Sequence, residues 1–164
     1  MLDAPIVASF ASMLQAFTPC FTAPSFDSFA VLMGGWVLNL RRHTVTETVQ
    51  AAQAVSYKHI SSFHRFFSRA RWQLDPIGLV LIPLVVALLL DPGEPIIVPL
   101  DDSLGRHTGK RIAAASMHRD PLLSTAARPL FHWGHVWVVL AINVRAFGKV
   151  WALPVLFRLY RGKK

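Results

Sequence analysis

The sequence predicts an α/β protein of the α+β type, with a helical region over residues 1–92 followed by a sheet over residues 93–164. Three observations lead to this prediction. The run Thr44-Val45-Thr46-Glu47 has the form of a capping box, which is typical of a helix start. An apolar segment over residues 77–90 ends at a turn-forming run, Asp91-Pro92-Gly93-Glu94-Pro95. Beyond that run, Val, Ile and Trp are concentrated in short segments typical of strands.

The helical region divides at prolines and short turns. We predict a helix that ends at Thr18-Pro19, a second over residues 29–40, and two shorter ones over residues 45–54 and 58–68. Two short helices joined by a turn favour a helix-turn-helix. The last helix carries cationic and histidine side chains opposite an apolar face, which indicates contacts with DNA phosphates and base edges. The residues predicted to bind DNA here are Lys58, His59, Arg65 and Arg69; the alternative is an ordinary helical hairpin with a solvated face.

Residues 77–90 are almost wholly apolar and raise the alternative of a small membrane-associated protein. The segment spans only fourteen residues, whereas a membrane-spanning helix needs roughly eighteen to twenty. Pro83 interrupts it, and Asp75 and Asp91 flank it. We therefore predict a buried helix that supports the sheet, and we expect no membrane partner.

Two adjacent carboxylates follow the first β-branched segment. Ile96, Ile97 and Val98 predict a buried strand, and Asp101 and Asp102 would lie at its C-terminal end. In open α/β sheets functional groups collect at that end of a strand. Because Mg²⁺ prefers hard carboxylate oxygens, the pair indicates a divalent-metal site. The alternative is that these residues simply begin a turn.

The net charge of +8 is unevenly distributed along the chain. Residues up to Leu100 include six basic and six acidic side chains, whereas those from Asp101 onward include eleven basic and three acidic ones. A basic surface favours a polyanion such as nucleic acid or an anionic membrane; the alternative is a solvated basic face. Near the acidic pair, the predicted DNA-binding residues are Arg106, Lys110 and Arg111. The spacing of Gly105 and Gly109 does not fit a nucleotide-binding P-loop.

The remaining signals concern strands, histidines and the cysteine. We predict strands over residues 133–144 and 150–159, paired as a hairpin through a turn at Gly148-Lys149. The spacing of His132 and His135, with His118 as a third candidate, occurs in metal sites, but packed or hydrogen-bonded histidines are the better interpretation. The single cysteine, Cys20, excludes an internal disulfide and is consistent with a reducing cytoplasm.

A family resemblance begins at the acidic pair. Residues 100–113 (LDDSLGRHTGKRIA) resemble the first catalytic block of DDE-type transposases of bacterial insertion sequences, and the likeness continues through residues 118–125, 133–140 and 151–160. It implies a ribonuclease-H-like fold in which three acidic residues bind two divalent ions, Mg²⁺ or Mn²⁺. By position, Asp102 matches the first of these acids, and Asp101 is its neighbour. The resemblance also implies a helical N-terminal DNA-binding region.

The second and third acids of that family would lie beyond Lys164. We therefore expect an N-terminal fragment of a transposase, holding the first half of a ribonuclease-H-like mixed sheet. We expect it to bind DNA at insertion-element ends, to hold Mg²⁺ or Mn²⁺ without stable binding, and not to cleave. An uncovered edge strand and apolar face would favour homo-oligomers. The alternative is a non-catalytic DNA-binding regulator.

Overall fold

The computed structural model describes residues 4–109 and 111–161, with side chains from Val7 onward. Five α-helices precede four strands, which confirms the predicted fold class. The chain divides into two compact units between Ile77 and Gly78, inside the fifth helix; the functional division at residue 92 remains a prediction. In chain order the helices are α1 (Ala4–Gln15), a 3₁₀ turn (Thr18–Cys20), α2 (Ala23–Leu38), α3 (Val45–Ala51), α4 (Ile60–Ser68) and α5 (Leu74–Leu89). The strands are β1 (Leu100–Arg106), β2 (Ser116–Arg119), β3 (Phe131–Ala146) and β4 (Lys149–Leu159).

The first unit is held together by aromatic and aliphatic side chains from α1 to α4. Trp72 stacks on Phe66 with ring centroids 5.2 Å apart, and its indole N–H donates to the Phe66 carbonyl at 2.8 Å. Phe21 stacks on Phe29 at 4.7 Å. Phe21 also lies 5.9 Å from Phe66 between ring centroids, which joins the segment just before α2 to α4. The buried apolar residues of this unit are Leu14, Phe17, Phe29, Leu32, Val49, Ala54, Phe63 and Phe66.

One of the two hydrogen bonds of the predicted capping box at Thr44 is confirmed. The Thr44 hydroxyl accepts a hydrogen bond from the Glu47 N–H at 3.3 Å. The reciprocal bond is absent, because the Thr44 N–H donates to the Arg42 carbonyl instead. Among the described residues, Glu47 Oε2 is buried without a hydrogen-bond partner. Helix α3 is also shorter than predicted and ends at Ala51.

The second unit contains a four-stranded antiparallel sheet with β3 at its centre. Val138 pairs with both Asp102 of β1 and Arg158 of β4, so these two strands flank opposite edges of β3. Strand β2, which the sequence did not predict, pairs with the start of β3. Every pairing among the described strands is antiparallel, and no parallel strand of the predicted mixed sheet lies among them. The predicted hairpin between β3 and β4 is confirmed.

The hairpin turn lies one residue before its predicted position. Phe147 and Gly148 both have positive φ angles, 53° and 71°. A two-residue turn with this backbone matches the right-handed twist of the flanking strands. Gly148 adopts the conformation without steric cost, whereas Phe147 is a rarer occupant of that region.

Helix α5 packs on one face of the sheet, as predicted for a supporting helix, but it is not fully buried, since Leu79 is 64% and Leu88 63% exposed. Val85 lies in a cluster with Ile142, Val144 and Val155, surrounded by half-buried apolar side chains of the helix and strands. The pairing of β3 with β4 shifts between Leu140 and Ala141, and this irregularity brings Val155 into the cluster. Across residues 4–109 and 111–161, the helices are all too short or too polar to traverse a bilayer.

Candidate functional site

The acidic pair lies within a strand and not at its C-terminal end, so the predicted position was wrong. Strand β1 begins at Leu100, and Asp101 and Asp102 occupy its first half. The apolar residues before it still run beside β3: the Pro99 and Ile97 carbonyls accept from the N–H groups of Ala141 and Asn143, both at 3.0 Å. Because proline has no N–H to donate, Pro99 interrupts the ladder and delays the start of the regular strand.

The two carboxylates do not converge. Consecutive residues of a strand point to opposite faces, and Asp102 lies opposite Val138 whereas Asp101 lies opposite Val139. Asp102 therefore shares the sheet face of Leu140, which packs beneath α5. Asp101 lies on the other face, and its Oδ1 accepts the Asp102 N–H at 2.8 Å. Both side chains are exposed.

The donor set around Asp102 does not fit a divalent ion without further ligands. In the described part of the chain, no three His, Cys, Asp or Glu side chains are grouped so that they could hold a metal ion. Mg²⁺ needs near-octahedral oxygen coordination, of which a lone exposed carboxylate supplies a small part. The predicted metal roles of Asp102 and Asp101 therefore remain predictions.

Arg106, predicted to contact DNA, forms an ion pair with a buried acid that the sequence reading did not single out. Its guanidinium donates to Asp120 Oδ2, and Asp120 is only 2% exposed. Asp120 Oδ1 accepts from the N–H groups of Leu122 at 3.0 Å and Leu123 at 2.9 Å. His132 Nδ1 also lies 3.1 Å from Asp120 Oδ2, although the alignment is too poor for a hydrogen bond. These contacts join the end of β2 to β1 and β3.

The environment of Asp120 favours its ionised form. The Leu123 N–H bond is the largest cause that lowers the pKa of Asp120 below its ordinary value of 3.8. The hydrogen bond and charge of Arg106 and the Leu122 N–H act in the same direction, while burial opposes them. Asp120 is therefore a charged anchor for the turn after β2.

His118 and His135 are hydrogen-bonded, as predicted, whereas His132 Nδ1 lies beside Asp120 without a hydrogen bond to any described residue. His132 and His135 lie three residues apart on β3, so their side chains point to opposite faces and cannot chelate one ion. His118 Nε2 contacts the Ser116 hydroxyl at 2.8 Å. His135 Nδ1 lies 3.0 Å from His107 Nε2, and its Nε2 lies 2.8 Å from the Ala113 carbonyl.

The basic segment after β1 is held against the sheet face opposite Asp102. Trp133 and His135 lie on that face, and the Trp133 indole N–H donates to the Gly109 carbonyl at 2.8 Å. Arg111 is exposed within the same segment. Lys110, also predicted to bind DNA, lies outside the described residues. The structure therefore does not bring Arg111 to the face that carries Asp102.

A basic groove lies wholly within the first unit. It measures about 540 Å³ and brings together three of the predicted DNA-binding residues, Lys58, Arg65 and Arg69. Arg71, in the loop after α4, adds a fourth cation that sequence reasoning did not single out. His59 does not line the groove; its Nδ1 accepts the Ser61 N–H at 3.2 Å and caps α4.

Lys58 is the most constrained of the four cations. Its ammonium group donates to the Pro24 carbonyl at 3.3 Å, lies 3.6 Å from Asp27 Oδ2, and sits 5.1 Å from the centre of the Tyr57 ring. The Tyr57 hydroxyl donates to Asp27 at 3.3 Å, and the Asp27 charge raises the pKa of Tyr57. These contacts fix Lys58 at the rim of the groove and partly offset its charge.

Comparison with known proteins gives one family match. The family model described as DDE superfamily endonuclease matches residues 16–162, which include both compact units for most of their length. No curated protein and no solved structure matches the chain.

Proposed function

Since this chain belongs to the DDE superfamily endonucleases, we propose that it is a transposase-type protein of an insertion sequence. In this proposal the first unit binds DNA at the ends of the element. The second unit carries Asp102 as one acid of the metal site. The observation that carries the proposal is the basic groove, because a cluster of cations is the electrostatic signature of nucleic-acid binding.

The family resemblance supports a metal role for Asp102. Endonucleases of this superfamily generally depend on divalent metal ions, and carboxylate oxygens are the ligands that Mg²⁺ prefers. Asp101 is the weaker candidate. It lies on the sheet face opposite Asp102, and its carboxylate already accepts the Asp102 N–H. A lone carboxylate cannot fix an ion in position. We therefore propose that the chain by itself binds DNA without cleaving it.

A non-catalytic DNA-binding regulator is the second candidate function. The observation that favours it is the location of the groove, which takes all its lining residues from the first unit. A regulator would use this surface and have no need of the sheet for chemistry.

Fluorescence anisotropy of labelled duplexes tests the proposal with the full chain. We expect tighter binding to a duplex with the terminal repeat of the element than to a shuffled duplex of equal length and composition. Equal affinity for the two would contradict recognition of insertion-element ends. Tighter binding to the promoter of its own gene than to the terminal repeat would favour the regulator.

A further inference from the structure

We propose that the basic groove of the first unit holds a backbone phosphate of duplex DNA, with Arg65, Arg69 and Arg71 as its main donors. This inference rests on the proposed DNA binding and names the part of the DNA that this surface contacts. The groove is defined by Lys58, Arg65, Arg69 and Arg71 together with the N-terminal turn of α2.

One face of α4 forms a wall of the groove. Ser62, Arg65 and Phe66 line it from one helical face, because they are three and four residues apart, and Arg69 lines it from the C-cap position directly after the helix. Phe66 is buried and packs under Trp72. The position of this wall is therefore set by the aromatic core, and the two arginines project from a fixed support.

The arginines are available to an anion. Within the described residues, the guanidinium groups of Arg65, Arg69 and Arg71 have no hydrogen bond or ion pair, and all three residues are exposed. Guanidinium groups can donate two parallel hydrogen bonds to phosphate oxygens. Three unpaired guanidinium groups around one groove therefore match a phosphodiester.

Among the described residues, the groove carries no amide or carboxylate side chain for reading bases. Two of its hydroxyl groups are satisfied within α2, since Ser25 donates to the Thr22 carbonyl at 2.9 Å and Ser28 donates to the Pro24 carbonyl at 3.1 Å. Its described lining includes no Asn, Gln, Asp or Glu side chain. The amide and carboxylate groups that recognise adenine and cytosine edges are therefore missing from this surface. Guanidinium groups bind phosphate oxygens whatever the base sequence, so contact with the backbone is the role we assign to the arginines.

The start of α2 reinforces the positive potential. Helix α2 has sixteen residues, and Thr22 and Pro24 at its N-terminus line the groove. The partial positive charge of a helix N-terminus attracts anions. Asp27 acts in the opposite sense, but it lies beside Lys58. The arginines are therefore expected to carry most of the phosphate binding.

The test compares two double variants that remove the same charge. Arg65→Ala/Arg69→Ala alters the groove. Arg41→Ala/Arg42→Ala is the matched control, because both residues are exposed in the α2–α3 connection and neither lines the groove. Affinity for a labelled duplex of unrelated sequence is measured across salt concentrations by anisotropy. Each lost phosphate contact lowers the slope of log affinity against log salt by about 0.9.

We expect the groove variant to lose about 1.8 from this slope and the control to keep the slope of the unaltered chain. Arg65→Lys/Arg69→Lys, which keeps the charges, should retain the slope. Equal slopes for the groove variant and the control would overturn the phosphate groove; the proposed function would then be judged separately, by tighter binding of the terminal repeat than of the shuffled duplex. Failure of the unaltered chain to bind any duplex would overturn the proposed function and the groove with it. If dAMP competed with the duplex at the affinity of the duplex itself, the groove would be a nucleotide pocket, which also contradicts the proposal.

Discussion

Asp101 and Asp102 are neighbours in the sequence, but β1 places their side chains on opposite faces of the sheet. Two adjacent acids in a loop can bind the same metal ion. In a strand, the same two acids place one carboxylate on each face of the sheet. The face of Asp102 also carries Arg106, whose guanidinium is engaged by Asp120. The chemistry available at Asp102 is therefore that of a single exposed acid.

Metal binding at Asp102 should be too weak to detect in this chain alone, because one carboxylate supplies only part of a metal site. We expect Mn²⁺ titration, followed by the electron paramagnetic resonance signal of the free ion, to show the same low occupancy in the unaltered chain and in Asp102→Asn. The reason is that, among the described residues, no three His, Cys, Asp or Glu side chains are grouped so that they could hold a metal ion. Saturable binding of one ion that disappears in Asp102→Asn but persists in Asp101→Asn would contradict this.

Asp120 should make the stability of the chain sensitive to acid. Because its pKa is lowered in the folded state, the contribution of its ionised form to stability is present above the ordinary value of 3.8. That contribution is lost as the pH falls through the folded-state pKa. We expect Asp120→Asn to lower the melting temperature near neutral pH and to flatten its dependence on pH below about 4.

The control for Asp120 is Asp91→Asn, which removes an exposed carboxylate in a turn. Thermal melts followed by circular dichroism, recorded from neutral pH downward, provide the comparison. If both variants lost the same stability at every pH, the anchoring role of Asp120 would be wrong.

The close packing of α5 against the sheet should depend on the absence of a side chain at Gly78. A Cβ atom there would lie 2.5 Å from the Val155 carbonyl oxygen and against the Leu156 side chain. The backbone oxygen cannot move aside cheaply, so Gly78→Ala should destabilise the chain by about 2 kcal/mol. Urea unfolding measures the change.

Gly34 supplies the matched control, because it also lies within a helix but has open space around it. Gly34→Ala should stabilise the chain by roughly 0.5–1 kcal/mol through the higher helix propensity of alanine. Similar changes in unfolding free energy for the two substitutions would show that α5 does not pack on β4 as described.

Features set by local sequence were predictable. The Thr44 cap depends on residues three apart, and the β3–β4 hairpin depends on a glycine between two apolar segments. The charge on residues 58–69 drew attention to Lys58, Arg65 and Arg69, which the structure brings into one groove, and their role in DNA binding remains a prediction. In each case the residues that make the pattern are close together in the sequence.

Features set by distant contacts were not predictable. Strand β2 consists of Ser116, Met117, His118 and Arg119, which do not show the β-branched enrichment of a strand, and it depends on pairing with β3. Asp120 owes its burial to Arg106, fourteen residues earlier. The true start of β1 depends on Pro99, whose missing N–H outweighs the β-branched residues before it.

The measurement that most directly tests the account is incubation of the full chain with supercoiled plasmid and with labelled duplex, in Mg²⁺ or Mn²⁺. We predict that the duplex is bound and that the plasmid remains supercoiled, in the unaltered chain and in Asp102→Ala alike. Metal-dependent nicking by the unaltered chain that disappears in Asp102→Ala would contradict the claim that this chain binds DNA without cleaving it.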